Sequence, residues 1–253
     1  MSDKEKSKQI STESYKGVRD FYPEDMYLQN YIFENMRVVA ESYGFSEYGA
    51  SILEPSELYE AKSGEEIVNE QTYTFTDRGD RRVTLRPEMT PTVARMVAAR
   101  KRDLTFPLRW YSIPNLFRYE RPQRGRLREH YQLNVDLFGS NDLEADIEIM
   151  SVAYDIMKTF GASNDMFSIR INSRAFMEHV FSFYSLSEDE QHKLSKLIDR
   201  KNKIEKDRFL GDLHEILSDK QNLHETFEKF IGENDINALP EHCLDHDSKR
   251  ELD

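Results

Sequence analysis

This sequence has little of what several common classes of protein require. It contains one cysteine, Cys243, which excludes an internal disulfide and a zinc site built from cysteines. No run of about 18 apolar residues occurs and the first 14 residues are polar, so neither a membrane span nor a secretion signal is expected. The glycine-rich loops that bind phosphate and the serine elbow of hydrolases do not occur either. A soluble, cytoplasmic protein that does not use covalent nucleophilic catalysis is therefore predicted.

The charge of the chain is unevenly distributed. Between Arg78 and Arg128 there are 14 Lys and Arg and four Asp and Glu, so this segment carries +10 within a chain of net charge −12. The other residues must therefore carry −22, which disfavours a large surface for nucleic acid. One concentrated basic segment in an acidic chain indicates that an anion is held at one place, with a solvated basic face as the alternative.

The periodicity of apolar residues predicts a mixed α+β domain followed by a helical lobe. In chain order we predict a flexible tail over 1–14, a helix from Pro23 to Gly44, a β-hairpin over 71–86, a helix capped by Thr90, strands over 109–120 and 130–138, a helix over 143–160 and a strand over 167–172. Beyond residue 173 only helical patterns occur, with a capping box at Ser187 and Glu190. The predicted domains are a core over 15–173 and a helical lobe over 174–253.

The second predicted hairpin concentrates residues that could bind a ligand. Arg118 and Glu120 are two apart on its first strand and so share one face. The arginine can bind phosphate through two nitrogens, and the glutamate can accept from an adenine amino group or help position a metal. The long loop that follows adds four more arginines around Gly125, at positions 121, 124, 126 and 128.

The return strand of this hairpin has one polar face. Its polar residues alternate with Tyr131, Leu133, Val135 and Leu137, and they are His130, Gln132, Asn134 and Asp136. A strand covered on both sides would not carry a polar face unless that face lined a ligand cleft, so we predict a cleft here. The alternative is an exposed hairpin face laced with salt bridges.

Two further clusters are weaker candidates. Glu88 could bind an ammonium group that Thr90 helps to orient, although both residues also suit the start of a helix. His242, Cys243 and His246 could suggest a metal site, but no fourth ligand is evident, so we predict a surface cluster and no metal site.

Three segments resemble the class II histidyl-tRNA synthetases. They are Gly17–Phe21, Thr84–Thr90 and, most specifically, Phe117 to Asp136 with its sequence FRYERPQRGR. The resemblance covers residues 15–172 and implies an antiparallel sheet flanked by helices, in a homodimer whose interface includes Ile52–Pro55. The helical part resembles an insertion of that family in its position and type.

The resemblance implies a role for each candidate residue. Arg118 would be the catalytic residue, binding the α-phosphate of ATP and the carboxylate of histidine. Asp136 would read the imidazole ring, and the remaining contacts would come from Glu88, Thr90 and Gln132 to the α-amino group and from Glu120, Arg126 and His130 to ATP. The implied reaction is activation of histidine by ATP with its bound Mg²⁺, followed by transfer to histidine tRNA.

Only part of the family's pattern occurs in this sequence. A tyrosine-rich histidine-binding segment, a glycine-rich segment with an ATP-binding arginine and an anticodon-binding domain do not occur. Loss of even one charge-stabilising donor costs about 2.7–4 kcal/mol, so we expect this chain alone to activate histidine weakly or not at all. The alternatives are the histidine-sensing regulatory subunit of ATP phosphoribosyltransferase and a tRNA-binding module derived from a synthetase. The intact set of Arg118, Glu120 and Arg126 favours the enzyme.

Overall fold

The structure, a computed structural model, describes residues 10–60, 71–120, 125–171, 173–201 and 203–232. The chain divides into two compact units, Met1–Ile169 and Arg170–Asp253, where the sequence placed a boundary near residue 173. The first unit contains α1 Pro23–Ser42, β1 Ser46–Glu47, β2 Leu53–Pro55, α2 Glu57–Glu60, β3 Tyr73–Thr76, β4 Arg82–Leu85, α3 Thr90–Arg100, β5 Leu108–Ser112, β6 Asn115–Phe117, β7 Glu129–Tyr131, β8 Asn134–Phe138 and α4 Leu143–Thr159. The second contains α5 Arg174–Phe183, α6 Glu188–Ile198, α7 Lys206–Ile216, the 3₁₀ turn Gln221–Leu223 and α8 His224–Gly232.

The central sheet of the first unit lies between helices. Strand β5 pairs parallel with β1 and antiparallel with β8. On one face, Tyr111 and its neighbours from β8 pack against buried residues of α1 and α4, among them Val39 and Val152. On the other face, Trp110 and Phe138 pack with buried residues of α3. The predicted fold class, an antiparallel sheet flanked by helices, is confirmed, and the β1–β5 pair is its one parallel pairing among the described strands.

Each long strand of the second predicted hairpin is interrupted. The first is divided into β5 and β6 at Ile113–Pro114, and the second into β7 and β8. Proline has no N–H to donate, so the ladder breaks where Pro114 stands. The register is unchanged across the break, because Ser112 pairs with Asn134 and Asn115 with Tyr131. The two pairs of short strands therefore form one interrupted ladder.

The first predicted hairpin is confirmed as β3 and β4, and it forms a second sheet with β2. The polar side of this sheet is the buried one. Glu54, 4% exposed, accepts from Arg95 of α3 at 2.6 Å, and Thr84 is joined to neighbouring hydroxyl groups at 2.8 Å. On the opposite side Leu53 and Phe75 are 43% and 48% exposed. An apolar sheet face is thus open to solvent in the single chain.

The strand predicted over 167–172 is wrong for the described residues 167–171, which form no strand. Ile169 and Ile171 alternate as a strand requires, but both are exposed. Alternation produces a strand only where a neighbour supplies backbone hydrogen bonds, and no described strand pairs with this segment. Residue 172 lies outside the described part.

The second unit contains helices and no strand among its described residues, as predicted. Its core is formed by side chains from all four helices, including Val180, Leu194, Leu213 and Phe227. The predicted capping box at the start of α6 is present, because Ser187 and Glu190 each accept from the other's backbone N–H. In the part of the chain that is described, no helix combines the length and apolar character needed to cross a bilayer.

Candidate functional site

One face of the interrupted ladder carries the candidate residues of the second hairpin. Asp136 pairs with Trp110 and His130 pairs with Leu116, both within the same register. The pairing extends one step beyond β6, because the backbone N–H of Arg118 donates to the carbonyl oxygen of Arg128 at 2.8 Å. Even-numbered residues of both strands therefore share the face on which α3 packs.

The start of α3 lies on the same side of the sheet as Arg118. The Nε of Arg118 donates to the carbonyl oxygen of Pro87 at 3.0 Å, which places the guanidinium beside the chain segment that contains Glu88. Glu88 is half-buried, whereas Thr90 is exposed as the first residue of α3. The predicted capping by Thr90 is wrong by one position, since Met89 occupies the cap site and makes no side-chain cap bond.

Three titratable groups meet around Arg118. Arg126 donates to the Oε2 of Glu120 at 3.2 Å, with the arginine side chain 69% exposed and the glutamate side chain 19% exposed. Burial lowers the pKa of His130, the positive charge of Arg118 lowers it further, and Glu120 opposes both. His130 is thus a neutral imidazole close to a cation and an anion at neutral pH.

The opposite end of this face carries Asp136. Burial raises the pKa of its carboxyl group, and the hydroxyl of Tyr48, which donates to Oδ2 at 3.4 Å, opposes that shift. The Tyr48 ring lies 5.7 Å from that of Trp110, and burial raises the pKa of Tyr48 to about 12. Gln132, also predicted to touch histidine, lies exposed beside the break in the ladder, where its N–H donates to Pro114.

Most described arginines of the basic segment make structural contacts instead of facing a ligand. Arg86 is 7% exposed and donates to the Ala50 carbonyl oxygen and to both oxygens of Asn115, at 2.9 to 3.0 Å. Four others form ion pairs, and these are Arg81 with Asp77, Arg82 with Glu60, Arg95 with Glu54 and Arg109 with Glu148. The local charge of +10 therefore overstates the charge offered to an anion.

Arg128 was predicted to add to the cations of the loop, and that prediction is wrong. Its residue is 7% exposed, and its guanidinium donates to the carbonyl oxygens of Glu120 and Lys16, both at 3.2 Å. The guanidinium also lies 4.1 Å from the ring centre of Tyr119, and the backbone N–H of Arg128 donates to Gly17. Arg128 thus clamps the N-terminal segment onto the base of the loop. Residues 121–124 of the loop lie outside the described part.

Neither Tyr48 nor the structural roles of Arg86 and Arg128 were predicted from the sequence. Tyr48 follows the two-residue strand β1, and its position opposite Asp136 depends on a parallel pairing that no local pattern reveals. The burial of Arg86 and Arg128 depends on chain segments distant in sequence. A sequence signal existed only for Arg128. It immediately precedes β7, so its backbone can continue the ladder.

No group of three or more His, Cys, Asp or Glu with the geometry of a metal site occurs among the residues described here. The cluster of His242, Cys243 and His246 lies outside them. The prediction that this cluster binds no metal stays a prediction.

Comparison with known proteins identifies the family. The family described as histidyl-tRNA synthetase matches residues 17–248. A histidine–tRNA ligase of Leptospira biflexa is 47% identical over 238 residues, which cover 93% of this chain and 54% of the relative, so the chain spans about half the length of that relative. The crystal structure of a histidyl-tRNA synthetase from Nostoc matches with a TM-score of 0.77 and 24% identity, covering 90% of this chain and 50% of that one.

A second solved structure carries the names of two kinds of protein. An ATP phosphoribosyltransferase regulatory subunit/histidyl-tRNA synthetase from Bacillus halodurans matches with a TM-score of 0.56 and 22% identity, over 84% of this chain and 66% of that one. Both structural matches are below 25% identity and support the class II synthetase-like fold alone. Together with the family match over residues 17–248, the specific residues from Arg118 to Asp136 show that this chain belongs to the histidyl-tRNA synthetase family.

Proposed function

We propose that this chain provides the histidine- and ATP-binding face of a histidine–tRNA ligase. The observation that carries the proposal is the bond from Arg118 to the Pro87 carbonyl oxygen, together with the packing of α3 on the face that bears Asp136. These contacts bring a cation, the Glu88 segment and a half-buried carboxylate to one side of one sheet. A zwitterionic amino acid and a nucleotide need this combination of charges.

The ladder also has a length suited to an elongated ligand. His130 and Asp136 are six residues apart, which corresponds to about 20 Å of extended strand. Histidine would lie with its ring at Asp136 and its α-amino group at Glu88, Thr90 and Gln132. ATP would lie toward Arg118, with its adenine against the neutral ring of His130 and its amino group on Glu120.

The chemistry that we propose is displacement at the α-phosphorus of ATP. The carboxylate of histidine attacks, the bond to pyrophosphate breaks, and histidyl-adenylate forms without a protein nucleophile. The fork of Arg118 would bind the α-phosphate and the attacking carboxylate, and would stabilise the charge that develops between them. Arg126 would reach the terminal phosphates once the adenine amino group of ATP replaces it on Glu120.

Mg²⁺ would enter this site bound to ATP. The described residues fit such a role for the ion only weakly, because Glu120, two residues from Arg118, already pairs with Arg126. When bound, the ion would neutralise phosphate charge, and the phosphates would supply most of its ligands. Transfer of histidine to its tRNA, in the cytoplasm, completes the proposed function.

We further propose that the chain forms a homodimer through the open face of the second sheet. Leu53 and Phe75, both nearly half exposed, lie on this face with Tyr73, Val83 and Leu85. Burial of an apolar sheet face stabilises association, and contiguous apolar surface on a chain is typical of a partner interface. The occupant that we propose is the same face of a second copy.

Histidine-dependent exchange of pyrophosphate into ATP, with direct titration of histidine and ATP, tests the proposed function. We expect histidine and ATP to bind even where exchange is weak. Arg118→Ala should abolish exchange and weaken ATP binding by about 100-fold, corresponding to about 2.7 kcal/mol. The matched control is Arg102→Ala, because Arg102 is exposed and belongs to the same basic segment.

The same titrations separate the alternatives. Binding of histidine without ATP would support a histidine sensor like the regulatory subunit of ATP phosphoribosyltransferase. Binding of tRNA without either small molecule would support a tRNA-binding module. Equal ATP affinity in Arg118→Ala and the parent chain would contradict the proposed role of Arg118.

A further inference from the structure

Tyr48 is held on the ligand face by backbone pairing. Its N–H donates to the carbonyl oxygen of Tyr111 at 2.9 Å, which continues the parallel pairing of β1 with β5. Because Ser46 pairs with Trp110, the side chain two residues later falls on the same face as Trp110 and Asp136. The proposed function above assigns no role to Tyr48.

The surroundings of Tyr48 place its hydroxyl beside one oxygen of Asp136. The ring packs with the buried cluster of Val93, Val97 and Leu108, and its centre is 5.7 Å from that of Trp110. The hydroxyl donates to Oδ2 of Asp136 at 3.4 Å. A donor fixed on one oxygen of a carboxylate limits its rotation and leaves the other oxygen to accept from a ligand.

Ser112 supplies a second observation on the same hydroxyl. The residue is 3% exposed, and its Oγ makes no hydrogen bond of normal geometry to any described residue. It nevertheless lies close enough to Tyr48 for its hydroxyl to lower the pKa of the phenol, against the larger effect of burial. Buried hydroxyl groups seldom stay unpaired. Ser112, Tyr48 and Asp136 thus form a row of polar groups in which each hydroxyl can donate to the next group.

We infer that Tyr48 is a positioning residue for recognition of the histidine side chain, because it orients the carboxylate of Asp136 toward a ring N–H of the ligand. This inference rests on the function proposed above and extends it to specificity. A neutral imidazole carries one N–H, so an oriented carboxylate accepts from that group and rejects a ring whose nitrogen bears a methyl group. Tyr48 therefore increases the selectivity of binding for histidine over ring-methylated histidine.

The test is Tyr48→Phe in the full chain, which removes the hydroxyl and keeps the ring against Trp110. The matched control is Tyr43→Phe, since the Tyr43 hydroxyl donates to Asp155 at 2.6 Å and Tyr43 packs with the core on the opposite face of the sheet. Binding of histidine, of its two ring-methylated derivatives and of ATP is measured by calorimetry. Fluorescence of Trp110, the single tryptophan, gives a second readout.

We expect Tyr48→Phe to raise the Kd for histidine about tenfold, the effect of losing one hydrogen bond to a charged group. The neutral rings of both methylated derivatives carry no N–H, so their Kd values and the Kd for ATP should stay unchanged, and the preference for histidine falls by the same tenfold. Tyr43→Phe should leave all of these constants unchanged. Should Tyr48→Phe fail to fold, Ser112→Ala carries the same selectivity test, with an expected loss of about threefold.

Three outcomes would overturn the inference. Unchanged histidine affinity in Tyr48→Phe would remove the role of Tyr48 while leaving the proposed function in place. An equal loss for histidine and its methylated derivatives would make the effect one of general structure. Failure of the parent chain to bind histidine at all would contradict the proposed function and, with it, this inference.

Discussion

At the scale of single residues, the charge state of His130 is set by its neighbours. Burial and Arg118 lower its pKa, whereas Glu120 raises it. The unfolded chain therefore binds this proton more readily than the folded chain does. By linkage, the folded state loses stability as pH falls below the ordinary histidine value of about 6.5, and the His130 penalty is absent above that value.

The first prediction follows from these opposing charges. Arg118→Gln should raise the pKa of His130 toward its ordinary value, and Glu120→Gln should lower it further, because each change removes one neighbouring charge. NMR titration of the imidazole C2 proton measures both shifts. The exposed His192, in the second unit, provides the control signal. Shifts of the same sign in the two variants would contradict the proposed grouping of His130 with both charges.

At the scale of elements, a single buried arginine joins two distant segments. Arg128 links the carbonyl oxygens of Lys16 and Glu120, and its backbone N–H reaches Gly17, which has a positive φ of 87°. The segment near Gly17 that resembles the family is therefore placed against the base of the loop that follows Glu120. Arg128 positions Glu120 without touching the proposed ligand.

The second prediction concerns this clamp. Arg128→Ala leaves two carbonyl oxygens without their donor, so amides around Gly17 should exchange with solvent at least about tenfold faster. Hydrogen–deuterium exchange measures the change, and Arg126→Ala is the control, because the side chain of Arg126 is exposed and pairs with Glu120. Unchanged exchange near Gly17 in Arg128→Ala would show that the N-terminal segment is held by other contacts.

Local patterns predicted most elements and only part of the site. Helix α1, the first hairpin and the capping box at Ser187 depend on neighbouring residues, so the sequence alone indicates them. The break at Pro114 was missed because the apolar pattern runs through it, although proline itself supplied the signal. The absence of a strand near Ile169 and the burial of Arg128 depend on pairing between distant segments, which no local pattern encodes.

At the scale of the whole molecule, the second sheet, whose polar side is buried, supports the proposed association of two copies. Its polar side is buried, and Glu54 on that side pairs with Arg95. Its apolar side, which carries Leu53 and Phe75, is exposed to solvent. A single chain gains little from this arrangement, because the buried polar groups need partners while apolar area stays in water. Association of two copies would remove that apolar area from solvent.

The third prediction tests association. Phe75→Glu places a charge on the open face and should weaken dimer formation by about 100-fold or more, because an interface would have to bury that charge unpaired. Sedimentation equilibrium measures the effect. The control is Phe183→Glu, since Phe183 is 51% exposed and lies in the second unit. A monomeric parent chain, or an equal effect of both changes, would contradict the proposed interface.

The most direct measurement is a crystal structure of this chain with a stable analogue of histidyl-adenylate. We predict that the imidazole of the analogue lies within hydrogen-bonding distance of Asp136. We also predict that the group replacing the α-phosphate lies on the guanidinium of Arg118, with the adenine against His130. An analogue bound away from this face, or an Arg118 that points to the opposite side of the sheet in the complex, would contradict the proposed site.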